Sequence, residues 1–145
     1  MSILRSERQV ALQELNRMLL ESIDHYRDSA EFVDDQHAAQ LFTRIADQRE
    51  PLAEQLARAI RETGDLPSAP DADVETGEQL LHRLHAWFTA DQARDVLEQR
   101  LQAESTLAET LAENRHETPD STYQALHQRF VSLVENATQA LKEGL

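Results

Sequence analysis

Four long helices packed as an all-α bundle are the architecture that the sequence predicts, on three observations. Apolar residues recur at helical spacing rather than in alternation. Only three Gly and four Pro occur in 145 residues, which leaves few places to turn. Pairs of Ser or Thr with Gln three residues on mark helix starts at several points along the chain.

The first helix is expected over about 6–32. Ser6 and Gln9 form a capping box, and Leu12, Leu15, Leu19, Ile23, Tyr26, Ala30 and Val33 share one face. An acidic hinge, Val33-Asp34-Asp35, leads into a second helix over about 35–63 with Leu41, Phe42, Ile45, Leu52, Leu56, Ala59 and Ile60 inward. Gly64 and Pro67 end it. So short a hinge makes these two helices antiparallel. The stretch GDLPSAPDADVETG follows, the one segment rich in turn residues, and then a short helix over 77–88 with Leu80, Leu81, Leu84, Trp87 and Phe88 on its apolar side. Thr76 with Gln79 and Thr89 with Gln92 read as capping boxes, so the third long helix is expected over 90–115, carrying Val96, Leu97, Leu101, Leu107, Ala108 and Leu111. Thr118 and Pro119 open the fourth, over 119–143, with Tyr123, Leu126, Phe130, Leu133, Val134, Ala137 and Leu141 inward.

Each long helix measures roughly 36–42 Å at 1.5 Å per residue. Two connections are short and the middle one is long enough to hold its own helix. It therefore serves as a crossover from one end of the bundle to the other, making the second and third helices parallel. The simpler alternative is an up-down bundle with a fifth helix on its side. Residues 1–145 read as one domain.

Composition narrows the function. With 14 Lys+Arg against 27 Asp+Glu, a net charge of -13 and a pI near 4.7, the surface repels phosphate backbones and anionic lipid heads, so neither nucleic acid nor a polybasic membrane contact is expected. Lys142 is the only lysine. The absence of Cys excludes disulfides, thiolate catalysis and four-Cys zinc sites. The charged start MSILRSERQVALQEL has no long apolar run, which points to a cytoplasmic protein without a signal or a membrane span. No Gly-rich phosphate loop or nucleophile elbow is present.

The informative stretch is FTRIADQREPLAEQLA, residues 42–57, where Arg49 falls on the apolar stripe and Pro51 follows in mid-helix. A bundle that holds two iron or manganese ions needs a Glu on each of two helices and Glu-x-x-His on each of the others, because hard cations require anionic oxygens and the spacing of three sets both side chains on one face. Here the second helix reads Arg49-Glu50-Pro51-Leu52. Guanidinium cannot ligate, and Leu52 has no lone pair. Glu135 in the fourth helix has no His three residues on. Glu21 and Asp24 on the first helix and Glu104 on the third complete a weak set of metal candidates. If Arg49 and Glu104 lie at similar height, they make a bidentate ion pair inside the bundle; the alternative has Arg49 reaching solvent from the stripe's edge. Pro51 removes the bond to the Asp47 carbonyl and is expected to kink the helix. Glu113 and His116 form the one Glu-x-x-His, but at a helix end where a His is favoured by the dipole alone. His82 and His85, with Glu78 one turn earlier, read as solvated, and His25, His37 and His127 as surface or boundary residues.

The order of elements, with LNRMLLESIDHYRDSAEFV, LFTRIADQREPLAEQL, LLHRLHAWF and LQAEST, resembles a bacterial domain-of-unknown-function branch of the ferritin-like superfamily. The resemblance covers most of the chain from about Leu12 and implies a ferritin-like four-helix bundle with a long second-to-third helix crossover containing a short extra helix. It also implies an Arg at the frame of Arg49, an apolar residue at that of Leu52 and an acid at that of Glu104, in small soluble proteins with no assigned reaction. The last helix departs from that pattern, with Asn136-Ala137 where an inward His is expected.

The resulting expectation is a non-catalytic bundle that acts by binding or self-assembly, as a homo-oligomer and without a cofactor, with Trp87 and Phe88 as the apolar contact. The alternative is a di-metal carboxylate oxidase or iron-handling protein using iron or manganese through Glu21, Asp24, Glu104 and Glu135. A third reading is a regulatory bundle that takes a partner helix into a groove opened at Pro51.

Overall fold

The computed structural model describes residues 5–68, 91–113 and 120–145. Four helices form among them, α1 over Glu7–Phe32, α2 over Gln36–Glu62, α3 over Gln92–Glu113 and α4 over Ser121–Gly144, and no strand. None of these helices is long and apolar enough to cross a membrane. The expected helix at 77–88, with Trp87 and Phe88, lies outside the described residues, as do His82, His85 and His116.

Side-chain caps set the helix starts. Ser6 accepts from the Gln9 amide at 3.1 Å while the Gln9 side chain accepts from the Ser6 amide at 2.9 Å, a complete capping box for α1. Asp35 opens α2 through the Ala38 amide at 2.9 Å. Asp91 accepts from the Arg94 amide at 3.0 Å and Asp120 from the Thr122 amide at 3.1 Å, while the expected caps Thr89 and Thr118 lie outside the described residues. A carboxylate at these positions satisfies an orphan amide and also meets the positive end of the helix dipole, which a hydroxyl does less well. α2 ends in a Schellman motif: Gly64 takes φ +87°, its amide donates to the Arg61 carbonyl at 2.9 Å, and the Asp65 amide donates to Ile60 at 3.3 Å.

The core runs the length of the bundle. Leu12, Leu15, Leu19, Ile23 and Tyr26 from α1 meet Phe42, Ile45, Leu52, Leu56 and Ile60 from α2 and Tyr123, Phe130, Val134 and Leu141 from α4. α3 contributes Val96, Leu97 and Leu111. Its stripe runs through Arg100 and Glu104, so Leu101 and Leu107 are half-buried and Ala108, expected inside, is exposed. Ala30, Val33, Leu41 and Leu133 lie at the edge of the core. α1 packs along α2, α2 along α4, and α4 along α3.

Polar contacts fix which ends coincide. The hinge amide of Asp34 donates to Gln92 at the start of α3 at 2.7 Å. Gly144 at the end of α4 packs so closely against α2 and α3 that a β-carbon there would meet Leu41 at 3.4 Å and Leu97 at 3.6 Å. At the opposite end, Gln9 of α1 donates to the Thr63 carbonyl that closes α2, and Arg8 pairs with Asp120 at the start of α4. α2 and α3 therefore start at the same end. The segment after α2 is held against α1: Gln13 donates to Asp65 at 3.1 Å and to the Leu66 carbonyl at 2.6 Å and accepts from the Ser68 amide, and Asn16 donates to the Ser68 carbonyl at 3.4 Å. This explains why Gln13 and Asn16 are buried polar residues on α1.

Candidate functional site

The centre of the bundle is polar. Arg49, from the middle of α2, is among the largest fully buried side chains of the protein, and Glu104 of α3 is 2% exposed. Their positions follow from helical spacing: Arg49 falls between Ile45 and Leu52 on the inward stripe, and Glu104 lies one turn beyond Arg100. The two meet across the bundle. Nη2 of Arg49 donates to Oε1 of Glu104, and Nη1 donates to Oε2 at 3.4 Å, a fork-to-fork pair. The pair thus joins α2 and α3, which are not among the closely packed helix neighbours.

Aromatic rings line the pair. The Arg49 guanidinium carbon sits 5.1 Å from the Tyr26 ring centroid and 6.0 Å from that of Phe130, and Tyr26 itself packs on Phe42 at 6.0 Å. A second buried guanidinium, Arg100, lies 5.8 Å from the Tyr26 ring. These cation–π contacts suit Arg rather than Lys, because the planar guanidinium is weakly hydrated and stacks. Arg49 Nε has no hydrogen-bond partner among the described residues. The buried Tyr26 hydroxyl has no hydrogen-bond partner among the described residues. Burial first, and then the Glu104 charge, pushes the Tyr26 phenol far above its ordinary range, so it stays protonated wherever the fold survives.

The other metal candidates are elsewhere. Glu21 and Asp24 on α1 and Glu135 on α4 are exposed, and Glu21 is engaged by Arg17 one turn away at 3.2 Å. No group of three or more His, Asp or Glu capable of holding a metal ion occurs among the described residues. The centre offers a single carboxylate, already engaged by a guanidinium, and this donor set does not fit two hard cations. Pro51 lies on the exposed side of α2, which continues through it to Glu62.

Besides Gln13 and Asn16, the buried polar residues His127 and Arg100 are not apparent from the sequence. His127, expected at the surface, is 7% exposed, and its Nε2 lies 2.8 Å from the Leu111 carbonyl in the last turns of α3, with its ring 5.7 Å from Tyr123. A carbonyl can only accept, so the imidazole donates to it. His127→Leu is expected to lower stability by about 0.5–1.5 kcal/mol, the net worth of one intramolecular hydrogen bond, as read from the urea midpoint. Arg100 sits four residues before Glu104 on the same stripe; a second charge at that spacing was the available signal.

Two surface carboxylates make the acid response of the fold predictable. Hydrogen bonds from Gln13 foremost, and from the Leu66 amide and Arg5, hold Asp65 below its ordinary value. A lowered folded pKa adds stability that is present above the unfolded value and is lost as pH falls through the folded one. Asp24 is shifted up, by partial burial first and by the nearby Glu50 and Glu21, so its ionisation opposes folding and protonation relieves that. In urea titrations across pH 3–7, Asp65→Asn is expected to flatten the acid decline. Asp24→Asn is expected to raise stability at neutral pH.

Comparison of the chain with models of protein families, with curated proteins and with solved structures finds no match. The centre is described by its own geometry: an all-α bundle joined internally by an Arg–Glu pair under aromatic rings.

Proposed function

We propose that this protein is a non-catalytic, ferritin-like bundle in which an Arg–Glu pair stands where metal-binding bundles place their ligands, and that it acts by binding or self-assembly. The observation that carries this reading is the buried contact between Arg49 and Glu104. The carboxylate a metal would need is committed to a guanidinium, and Glu21, Asp24 and Glu135 are directed to solvent. The ferritin-like topology is supported by the parallel run of α2 and α3 and by residues 65–68, which leave the end of α2 along Gln13 and then Asn16, toward the opposite end of the bundle. Such a path is what a crossover connection requires.

Metal analysis of tag-free protein, followed by ferrous-iron titration, tests the reading. The expected result is no stoichiometric iron or manganese, with no oxygen consumption on adding ferrous iron. Two irons per chain with oxygen uptake would replace it with the di-metal carboxylate alternative.

A further inference from the structure

The outward face of α2 carries Asp47, Glu50, Glu54, Arg58 and Arg61, all exposed and spaced three or four residues apart, so that they form one stripe. The sign of the charge changes along it. Asp47 and Glu50 occupy the first half, and Arg58 and Arg61 the second. Ala53 and Ala57 beside the midpoint keep the surface close to the backbone, and with Glu54, Arg58 and Arg61 they line an open depression of about 470 Å³.

Five arginines face an acid, Arg5 with Asp65, Arg8 with Asp120, Arg17 with Glu21, Arg27 with Asp47 and Glu50, and Arg94 with Glu98, while Arg44 forms no ion pair among the described residues and Arg129 donates to Gln55. Arg58 and Arg61 form no ion pair among the described residues, in a chain of net charge -13. The stripe is also self-complementary. Turned end to end about an axis beside Glu54, a second copy sets its Arg61 against Asp47 and its Arg58 against Glu50, and the same two pairs recur on the other side. Arg27 binds Asp47 and Glu50 at 2.8 and 3.2 Å from below yet leaves their side chains 62% and 49% exposed. One cation against two acids leaves that half negative, and Glu54 adds to it.

We propose that this stripe is the contact through which two copies of the chain form an antiparallel, two-fold dimer. The proposal rests on the self-assembly reading above and names its surface. An isologous contact demands that one patch complement itself, and the reversal of charge about Glu54 meets that demand. Small residues at the centre allow the helices to approach, while the charged pairs set register and orientation. Glu54 facing its own copy is the unfavourable point in the interface. Glu54→Gln therefore tightens the dimer, an effect that a merely solvated face would not show.

Sedimentation equilibrium of the full chain at low and high salt provides the test. The wild type is expected to dimerise at low ionic strength and to weaken about tenfold or more when salt shortens the screening length. Arg58→Glu/Arg61→Glu and Asp47→Arg/Glu50→Arg should each be monomeric alone, and should combine as a heterodimer when mixed, because an all-acidic stripe then meets one that carries four arginines around Glu54. The chain lacks Cys, so Glu54→Cys offers an independent check should the Asp47/Glu50 variant not fold. It should oxidise readily to a covalent dimer, whereas Thr43→Cys, distant from the axis, should not. Dimers that persist in Arg58→Glu/Arg61→Glu with no cross-link at position 54 would assign assembly to another face and overturn this surface while leaving self-association intact. A strict monomer under all conditions overturns both.

Discussion

Replacing Arg49 with Met is expected to lower the unfolding free energy by about 3–5 kcal/mol, and Glu104→Leu by a similar amount, because each change removes one member of a buried, bidentate ion pair and leaves the other in a site closed to water. For a chain of this length the loss corresponds to a fall of roughly 10–15 °C in Tm. Glu104 is 2% exposed and Arg49 1% exposed, so the stranded group either remains charged in a poor dielectric or, for the acid, takes up a proton. The double variant Arg49→Met/Glu104→Leu is expected to lose far less than the sum, and its stability falls near that of the wild type. Two apolar side chains of similar volume remove both desolvation penalties at once. A double-mutant cycle from urea unfolding measures the coupling. Additive losses would show that the two side chains contribute independently and that the internal pair is not an energetic unit.

The same cycle separates stability from specificity. The pair links α2 to α3 across the bundle beneath the rings of Tyr26 and Phe130, while the turns of α2 on either side of Arg49 present the aliphatic Ile45 and Leu52. A fork-to-fork contact fixes the relative height of the two helices, whereas Leu and Ile tolerate a sliding register. The apolar double variant is therefore expected to retain helix content and to show poorer dispersion in amide NMR spectra. That outcome would identify the pair as a register device.

How far the sequence reveals this centre can be traced residue by residue. Arg49 lies on a stripe of helical spacing between Ile45 and Leu52, which leaves two readings open, a buried pair or a side chain that reaches solvent from the stripe's edge, and the structure takes the first. Glu104 is legible in the same way only if the register of α3 is known, and that register is less clear: a face built from Leu101, Leu107 and Ala108 competes with the one that the structure uses, through Val96, Leu97, Arg100, Glu104 and Leu111. The choice depends on what α3 packs against, which is tertiary information. His127 and the pair Gln13 and Asn16 were illegible for a related reason. Each is buried by a partner distant in sequence, the Leu111 carbonyl for the first and residues 65–68 for the other two. The caps show the limit of local rules. Ser6 with Gln9 is a complete box and marks its helix start without ambiguity, whereas Asp91 and Asp120 act as caps without an acid or amide three residues on to complete the box.

The second large effect is expected from Pro51, and in the opposite direction. Pro51→Ala should stabilise the protein by about 1–3 kcal/mol. A proline in a helix interior removes the amide that would bond to the carbonyl four residues back, here Asp47, and its ring crowds that carbonyl, a cost of about 3 kcal/mol. Against this, proline restricts the unfolded chain, a benefit of about 0.4–1 kcal/mol that alanine forfeits. α2 is a single helix from Gln36 to Glu62 and Pro51 points to solvent, so the substitution removes no core contact and an alanine amide finds the Asp47 carbonyl in line. Urea unfolding gives the stability, and hydrogen exchange shows whether the new amide at position 51 is protected. Unchanged stability with an unprotected amide would mean that α2 is locally opened at this turn and that the Asp47 carbonyl is satisfied elsewhere.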